Sequence, residues 1–185
     1  MGVDPGLVET GYAVLEAGPD AIGVVDAGVI ETRAGRPLDE RVQAIYAGVL
    51  ARLEAHAPAA LVLEDLYAAC AFPRTALLMA HARGVICLAA RQRGMAVLTL
   101  APAEVKRAVA AHGAASKHQI QQAVQRRLAL AEPPRSTHVA DALALALTGL
   151  SRLRGAPQAA VPAAEPIARG RPGSPALRRW RGSAR

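Results

Sequence analysis

Four ionisable side chains occupy places where such groups have little ordinary business: Asp4, Glu64, His138 and Asp141. Asp4 closes a short apolar segment in Gly2-Val3-Asp4-Pro5-Gly6, and Glu64 closes the apolar run Leu61-Val62-Leu63. Asp141 is the most telling, because Val139-Ala140-Asp141-Ala142-Leu143-Ala144-Leu145-Ala146-Leu147 reads as a helix apolar nearly all round. A buried carboxylate is costly unless it has a partner, so Asp141 requires one. His138, Asp141, Leu145 and Thr148 follow one another at spacings of 3, 4 and 3, a single helical stripe that sets His138 beside Asp141.

Singly, each has a plain structural explanation: Asp4 as a turn former before Pro-Gly, Asp141 as half of an ion pair with an arginine inside the fold, His138 as a helix-start residue hydrogen-bonded locally. Jointly they point to chemistry. Three carboxylates at one locus repel, and without a cation at least one pKa is raised. A hard divalent cation bound through oxygen relieves that repulsion, and Mg²⁺ in particular keeps waters and shares its shell with phosphate. Two such ions about 3.5 to 4 Å apart can activate a water and stabilise a leaving 3′ oxygen in an in-line displacement at phosphorus. The reaction class is then phosphodiester hydrolysis. His138, a softer ligand, makes Mn²⁺ plausible beside Mg²⁺.

The elements that must position these groups follow from patterning. Gly11–Glu16 and Ala21–Thr32 are β-rich runs parted by Gly18-Pro19-Asp20 and read as hairpin strands. Met1–Asp4 reads as the end of a strand, so brief that it leaves room for strand residues missing at the N-terminus. From Leu38, apolar residues recur at Val42, Ile45, Val49 and Leu53, an amphipathic helix entered through Pro37. Leu61–Glu64 fits a buried central strand and Met95–Leu100 reads as another buried strand. A second helix is expected over Thr75–Arg93 with Gly94 as its stop, and three more near Ala103–Ala111, Lys117–Leu130 and Ser136–Leu150. The sum is an α/β fold, three antiparallel strands plus two parallel, flanked by helices; if the first and fourth strands are neighbours, Asp4 and Glu64 emerge at one edge. There is no internal repeat.

At 185 residues the chain suits one globular domain. A hydrophobic share of 52% with 20% charged residues excludes disorder throughout. No apolar run is long enough for a membrane span and no secretory signal is visible, so a cytoplasmic location is expected. Cys70 and Cys87 read as incidental small hydrophobes in a reducing compartment. The net charge is +7, but residues 155–185 hold six arginines (Arg169, Arg171, Arg178, Arg179, Arg181 and Arg185) against Glu165 alone, leaving only +2 for residues 1–154. We therefore expect a folded domain over 1–154 and a disordered basic tail over 155–185 that adds nonspecific phosphate attraction or merely solubility.

Several stretches, in this order and spacing, resemble the RuvC family of Holliday junction resolvases: Gly2-Val3-Asp4-Pro5-Gly6 with Thr10-Gly11-Tyr12, Leu63-Glu64-Asp65 with Ala82-Arg83-Gly84, Pro102-Ala103-Glu104-Val105-Lys106, and His138-Val139-Ala140-Asp141-Ala142-Leu143-Ala144. The resemblance runs to about Leu150. It implies an RNase H-like fold, a homodimer, and paired symmetric nicks across a four-way DNA junction that leave ligatable ends, in recombination and repair. It implies two metal ions per site on Asp4, Glu64 and Asp141, with His138 at a fourth position that is aspartate in many members. Family basic residues near the cut strand fall on Lys106 and Lys117, which we expect at or near helix N-terminal turns. An aromatic that wedges into the junction falls on Tyr67, but the segment to Arg74 is one residue longer than the family pattern, so Tyr67 and Phe72 both qualify, with Arg74 among the DNA contacts. The branch-migration proteins RuvA and RuvB are implied partners.

Other readings are separable. A sugar-kinase or actin-like phosphate hairpin at Asp4–Gly11 needs a duplicated domain for which 154 residues leave no room. A related nuclease trimming RNA or linear DNA would cut duplexes as fast as junctions. A noncatalytic DNA-architecture protein has no use for acids set in apolar strands and helices.

Overall fold

Alternation at period two decides which way each strand faces, and here it sorts the sheet into two differently covered sides. In the computed structural model, which describes residues 1–19, 21–65 and 73–155, β1 (Gly2–Asp4), β2 (Glu9–Ala17) and β3 (Ile22–Glu31) are antiparallel neighbours. β4 (Ala60–Glu64) and β5 (Ala96–Leu100) add in parallel, giving the order β3-β2-β1-β4-β5. Helices α1 (Leu38–His56) and α2 (Pro73–Gln92) precede β4 and β5; α3 (Pro102–Ala110), α4 (Lys117–Arg127) and α5 (Thr137–Gly155) follow.

Val3, Tyr12, Val14, Leu61 and Leu63 pack with Ile45, Val49, Leu53 and Ile86 on the α1/α2 side. Ala13, Val62 and Leu100 pack with the Ala/Leu run of α5 and with α3 and α4 on the other. The small residues matter. A Cβ on Gly2 would strike the Ala142 carbonyl oxygen, and one on Gly11 the His138 carbonyl oxygen, so both glycines let the α5 backbone lie directly on β1 and β2.

The mixed sheet and the element order match the expectation, including β1 beside β4. Met95–Leu100 departs from it: the strand lies at the sheet edge, with only Leu100 fully buried. Its apolar residues cover helices on each face with no further strand among the described residues on the outer flank, so the apolar run marks contact above and below rather than full burial. α2 ends before Gly94, whose φ is +66°, as expected. α5 runs to Gly155; residues 156–185, the remainder of the expected tail, lie outside the described residues. No helix among the described residues is long and apolar enough to cross a membrane.

Candidate active site

β1 and β4 pair in parallel with Gly2 opposite Val62 and Val3 opposite Leu63. One further step along that register brings Asp4 beside Glu64, and period two puts both on the α5 side with Gly2 and Val62. Both carboxylates therefore emerge at one edge. α5 then delivers His138 and Asp141 from above, at the close approach that Gly2 and Gly11 permit. His138 Nδ1 lies 2.7 Å from Asp4 Oδ2, a contact spanning 134 positions of sequence, so a local helix-start role for the imidazole is excluded. Behind Asp4, Thr10 Oγ1 donates to the Gly6 carbonyl at 2.7 Å and fixes the Pro5-Gly6 turn.

Burial, then Asp4 and Asp141, pushes the Glu64 carboxyl up to about 7, against the opposing pull of Lys106 and Lys117. Burial, then Asp4, lifts Asp141 to about 6, with Lys117, His138 and Lys106 pulling the other way. The hydrogen bond with Asp4 and the charges of Asp4 and Glu9 raise the His138 pKa. No Lys, Arg or His nitrogen among the described residues lies within 4.0 Å of the Glu64 or Asp141 carboxylate, so the arginine ion pair considered for Asp141 is absent there. Nor do three or more His, Cys, Asp or Glu among the described residues already close around one point. Asp4 and Asp141 raise the Glu64 value and Asp4 raises that of Asp141, as like charges do when nearby cations offset them only in part. Oxygen donors in that state, with one imidazole, fit a hard divalent cation.

All four groups line one cleft of about 830 Å³, together with Lys106 and Lys117. Lys117 opens α4, held by a capping box in which Gln119 N donates to Ser116 Oγ at 3.2 Å and Ser116 N donates to Gln119 Oε1 at 2.8 Å. Lys106 sits a turn into α3 rather than at its start, and an Arg152–Glu104 ion pair of 2.6 Å ties that helix to α5. Sequence reasoning missed two charged residues of the cleft, Glu9 and Arg41. Glu9 Oε2 lies 3.9 Å from His138 Nε2; Arg41 Nε donates to Thr32 Oγ1 at 3.0 Å, and Thr32 in turn donates to the Leu7 carbonyl beside the Asp4 turn. Neither carries a periodic signal. Tyr67 and Phe72 lie outside the described residues, and Arg74 falls in the first turn of α2.

The model of the family described as "Crossover junction endodeoxyribonuclease RuvC" matches residues 1–149. The chain belongs to the RuvC family. A RuvC of Rhodopirellula baltica is 43% identical over 149 residues, 80% of this chain and 84% of that one. A RuvC of Leifsonia xyli subsp. xyli is 38% identical over 193 residues, covering all of this chain and 91% of that one. Among solved structures, Thermus thermophilus RuvC in complex with a Holliday junction substrate superposes with a TM-score of 0.78 at 34% identity, covering 83% of this chain and 93% of that one. The five-stranded mixed sheet of this RuvC family member is accordingly RNase H-like.

Proposed function

We propose that this chain is a structure-selective endonuclease that resolves four-way DNA junctions by paired symmetric nicks, through two-metal-ion phosphodiester hydrolysis, in homologous recombination and repair. The observation that carries the reading is the set of three acids, remote in sequence, that share one cleft with two lysines, two of them with raised pKa. Family membership supplies the substrate class, since relatives bear the name crossover junction endodeoxyribonuclease and one was solved on a Holliday junction.

Asp4, Glu64 and Asp141 would hold two Mg²⁺, or Mn²⁺, with His138 as a fourth ligand. Such ions supply an activated water and neutralise charge on the leaving oxygen. Lys106 and Lys117 draw the scissile phosphate into the cleft and offset its developing charge. The Asp4 contact holds the His138 ring in one orientation. Glu64 and Asp141, half-buried between sheet and α5, give up their protons when a cation takes their place. Tyr67, Phe72 and Arg74 would engage the open centre of the junction.

A homodimer would present two such clefts to opposing strands. The face of α2 bearing Leu77 and Leu88, 65% and 49% exposed, offers apolar surface for a second copy. RuvA and RuvB are the proposed branch-migration partners and the cytoplasm the proposed location. Residues 1–154 would carry the nuclease and 155–185 add phosphate attraction.

The test is a four-way junction assay with Mg²⁺, Mn²⁺ or EDTA. Symmetric nicks on opposing strands, absent in EDTA, are expected. Cleavage of linear duplex at the same rate would favour a general nuclease and overturn junction selectivity.

A further inference from the structure

Glu64 is the last residue of β4, where the chain leaves the sheet, so its carboxylate is only as well placed as that strand end. Two contacts hold the end down. Asp65 N donates to the Leu100 carbonyl at 2.8 Å, tying it to β5. From the other side, Arg83 Nη1 on α2 donates to the Glu64 carbonyl oxygen at 2.7 Å. The same guanidinium donates through Nη2 to Thr99 Oγ1 on β5 at 3.1 Å. One planar fork thus pins α2 to the carboxyl-terminal ends of two parallel strands. A lysine cannot do this, because it presents one compact ammonium rather than two donors at fixed separation.

Both of these Arg83 contacts are to neutral acceptors, a main-chain carbonyl and a hydroxyl. The cations that pull on the Glu64 carboxylate are Lys106 and Lys117, and no basic nitrogen among the described residues reaches ion-pair distance of it. Arg83 can therefore fix where Glu64 stands without competing for its charge. An ion pair at the same place would fix it equally well and occupy the oxygens.

We propose that Arg83 is a positioning residue of the metal site, which clamps the Glu64 carbonyl and the Thr99 hydroxyl so that the Glu64 carboxylate is held at the rim yet left free for a cation. This rests on the reading of Glu64 as a metal ligand. Groups one step removed from a metal are commonly worth about 10- to 100-fold in affinity.

The test uses the full chain without DNA and follows Mn²⁺ binding by loss of the free-ion electron paramagnetic resonance signal. Wild type, Arg83→Met, Arg83→Lys, Thr99→Val and Glu64→Gln are compared, each with a thermal melt and a junction-binding titration in EDTA. Arg83→Met is expected to weaken Mn²⁺ binding on the order of ten-fold, Thr99→Val to weaken it less, and Arg83→Lys to fall between wild type and Arg83→Met. Junction affinity in EDTA stays at the wild-type value. In cleavage assays the half-saturating metal concentration rises by the same factor, while the rate at saturating metal recovers. A lowered melting temperature with unchanged Mn²⁺ affinity in Arg83→Met would mean a purely structural arginine and overturn the proposal. If that variant does not fold, Thr99→Val decides: a weakened Mn²⁺ affinity supports the clamp and an unchanged one overturns it. Glu64→Gln separates the two ideas, since wild-type Mn²⁺ binding there sinks the metal-site reading itself.

Discussion

Two groups of ionisable side chains lie on opposite faces of the same sheet and are built on opposite terms. Under α1, Asp26 receives a hydrogen bond from Tyr12 Oη at 3.3 Å, with His56 Nε2 at 3.0 Å and Arg52 Nε at 3.7 Å from its other oxygen. Arg52 also stacks over the Tyr12 ring, 5.0 Å from its centroid. Every charge there has an answer. Under α5, Glu64 and Asp141 are half-buried with no ion-pair partner among the described residues, and each is pushed up in pKa by burial first and then by neighbouring acids. An acid paired within the fold is committed to holding the fold. An acid kept from water and left unpaired is available to something that arrives from outside, and on the proposed reading that contrast distinguishes the cleft from the Asp26 cluster.

The sharpest way to break the comparison is to neutralise one acid from each face. Asp141→Asn should lower junction cleavage by roughly 10³-fold or more while junction binding survives, because several kcal/mol of charge stabilisation disappear; Asp4→Asn and Glu64→Gln should match it. Asp26→Asn should leave cleavage within a few-fold and instead cost about 1 kcal/mol of stability by denaturant titration. Full cleavage by Asp141→Asn would erase the distinction. Next in size is Gly11→Ala, whose Cβ collides with the His138 carbonyl oxygen. Forcing α5 off β2 should cost roughly 1–3 kcal/mol and depress cleavage, whereas alanine at Gly23, which meets nothing within 4 Å, should leave cleavage unchanged.

A third effect concerns pH. Glu64 at about 7 and Asp141 at about 6 lie above the ordinary values of 4.5 and 3.8. Raised carboxyl values mean that the unfolded chain ionises first, so the metal-free fold loses stability as pH rises from about 4 to about 7. A cation cancels that loss. The gain in melting temperature on adding Mg²⁺ should therefore be larger at pH 8 than at pH 5, and an equal gain at both would contradict the raised values. The smallest effect is expected from the tail: removing residues 155–185 should flatten the salt dependence of DNA binding, by about 0.9 in log–log slope for each phosphate the tail had neutralised, and spare cleavage.

Much of this was legible in the residues. Apolar runs ending in acid placed Asp4 and Glu64 at strand ends, and a single carboxylate in an otherwise apolar helix singled out Asp141. What periodicity could not deliver were contacts between residues far apart, whose partners are set by how elements dock: His138 with Asp4, Arg83 with Glu64 and Thr99, Asp26 with His56. Glu9 and Arg41 were hidden for a related reason, since charged residues on a hairpin strand and an amphipathic helix look like any solvated face. β5 read as buried throughout because apolar contact with helices above and below leaves a continuous apolar run even where only Leu100 is fully covered.

The most direct measurement is an anomalous difference map from crystals of the full chain soaked in Mn²⁺. Peaks are expected within about 2.0–2.3 Å of carboxylate oxygens of Asp4, Glu64 and Asp141, with none at Asp26. A cleft empty of manganese at saturating concentration, or a peak at the Asp26 cluster alone, would contradict the account.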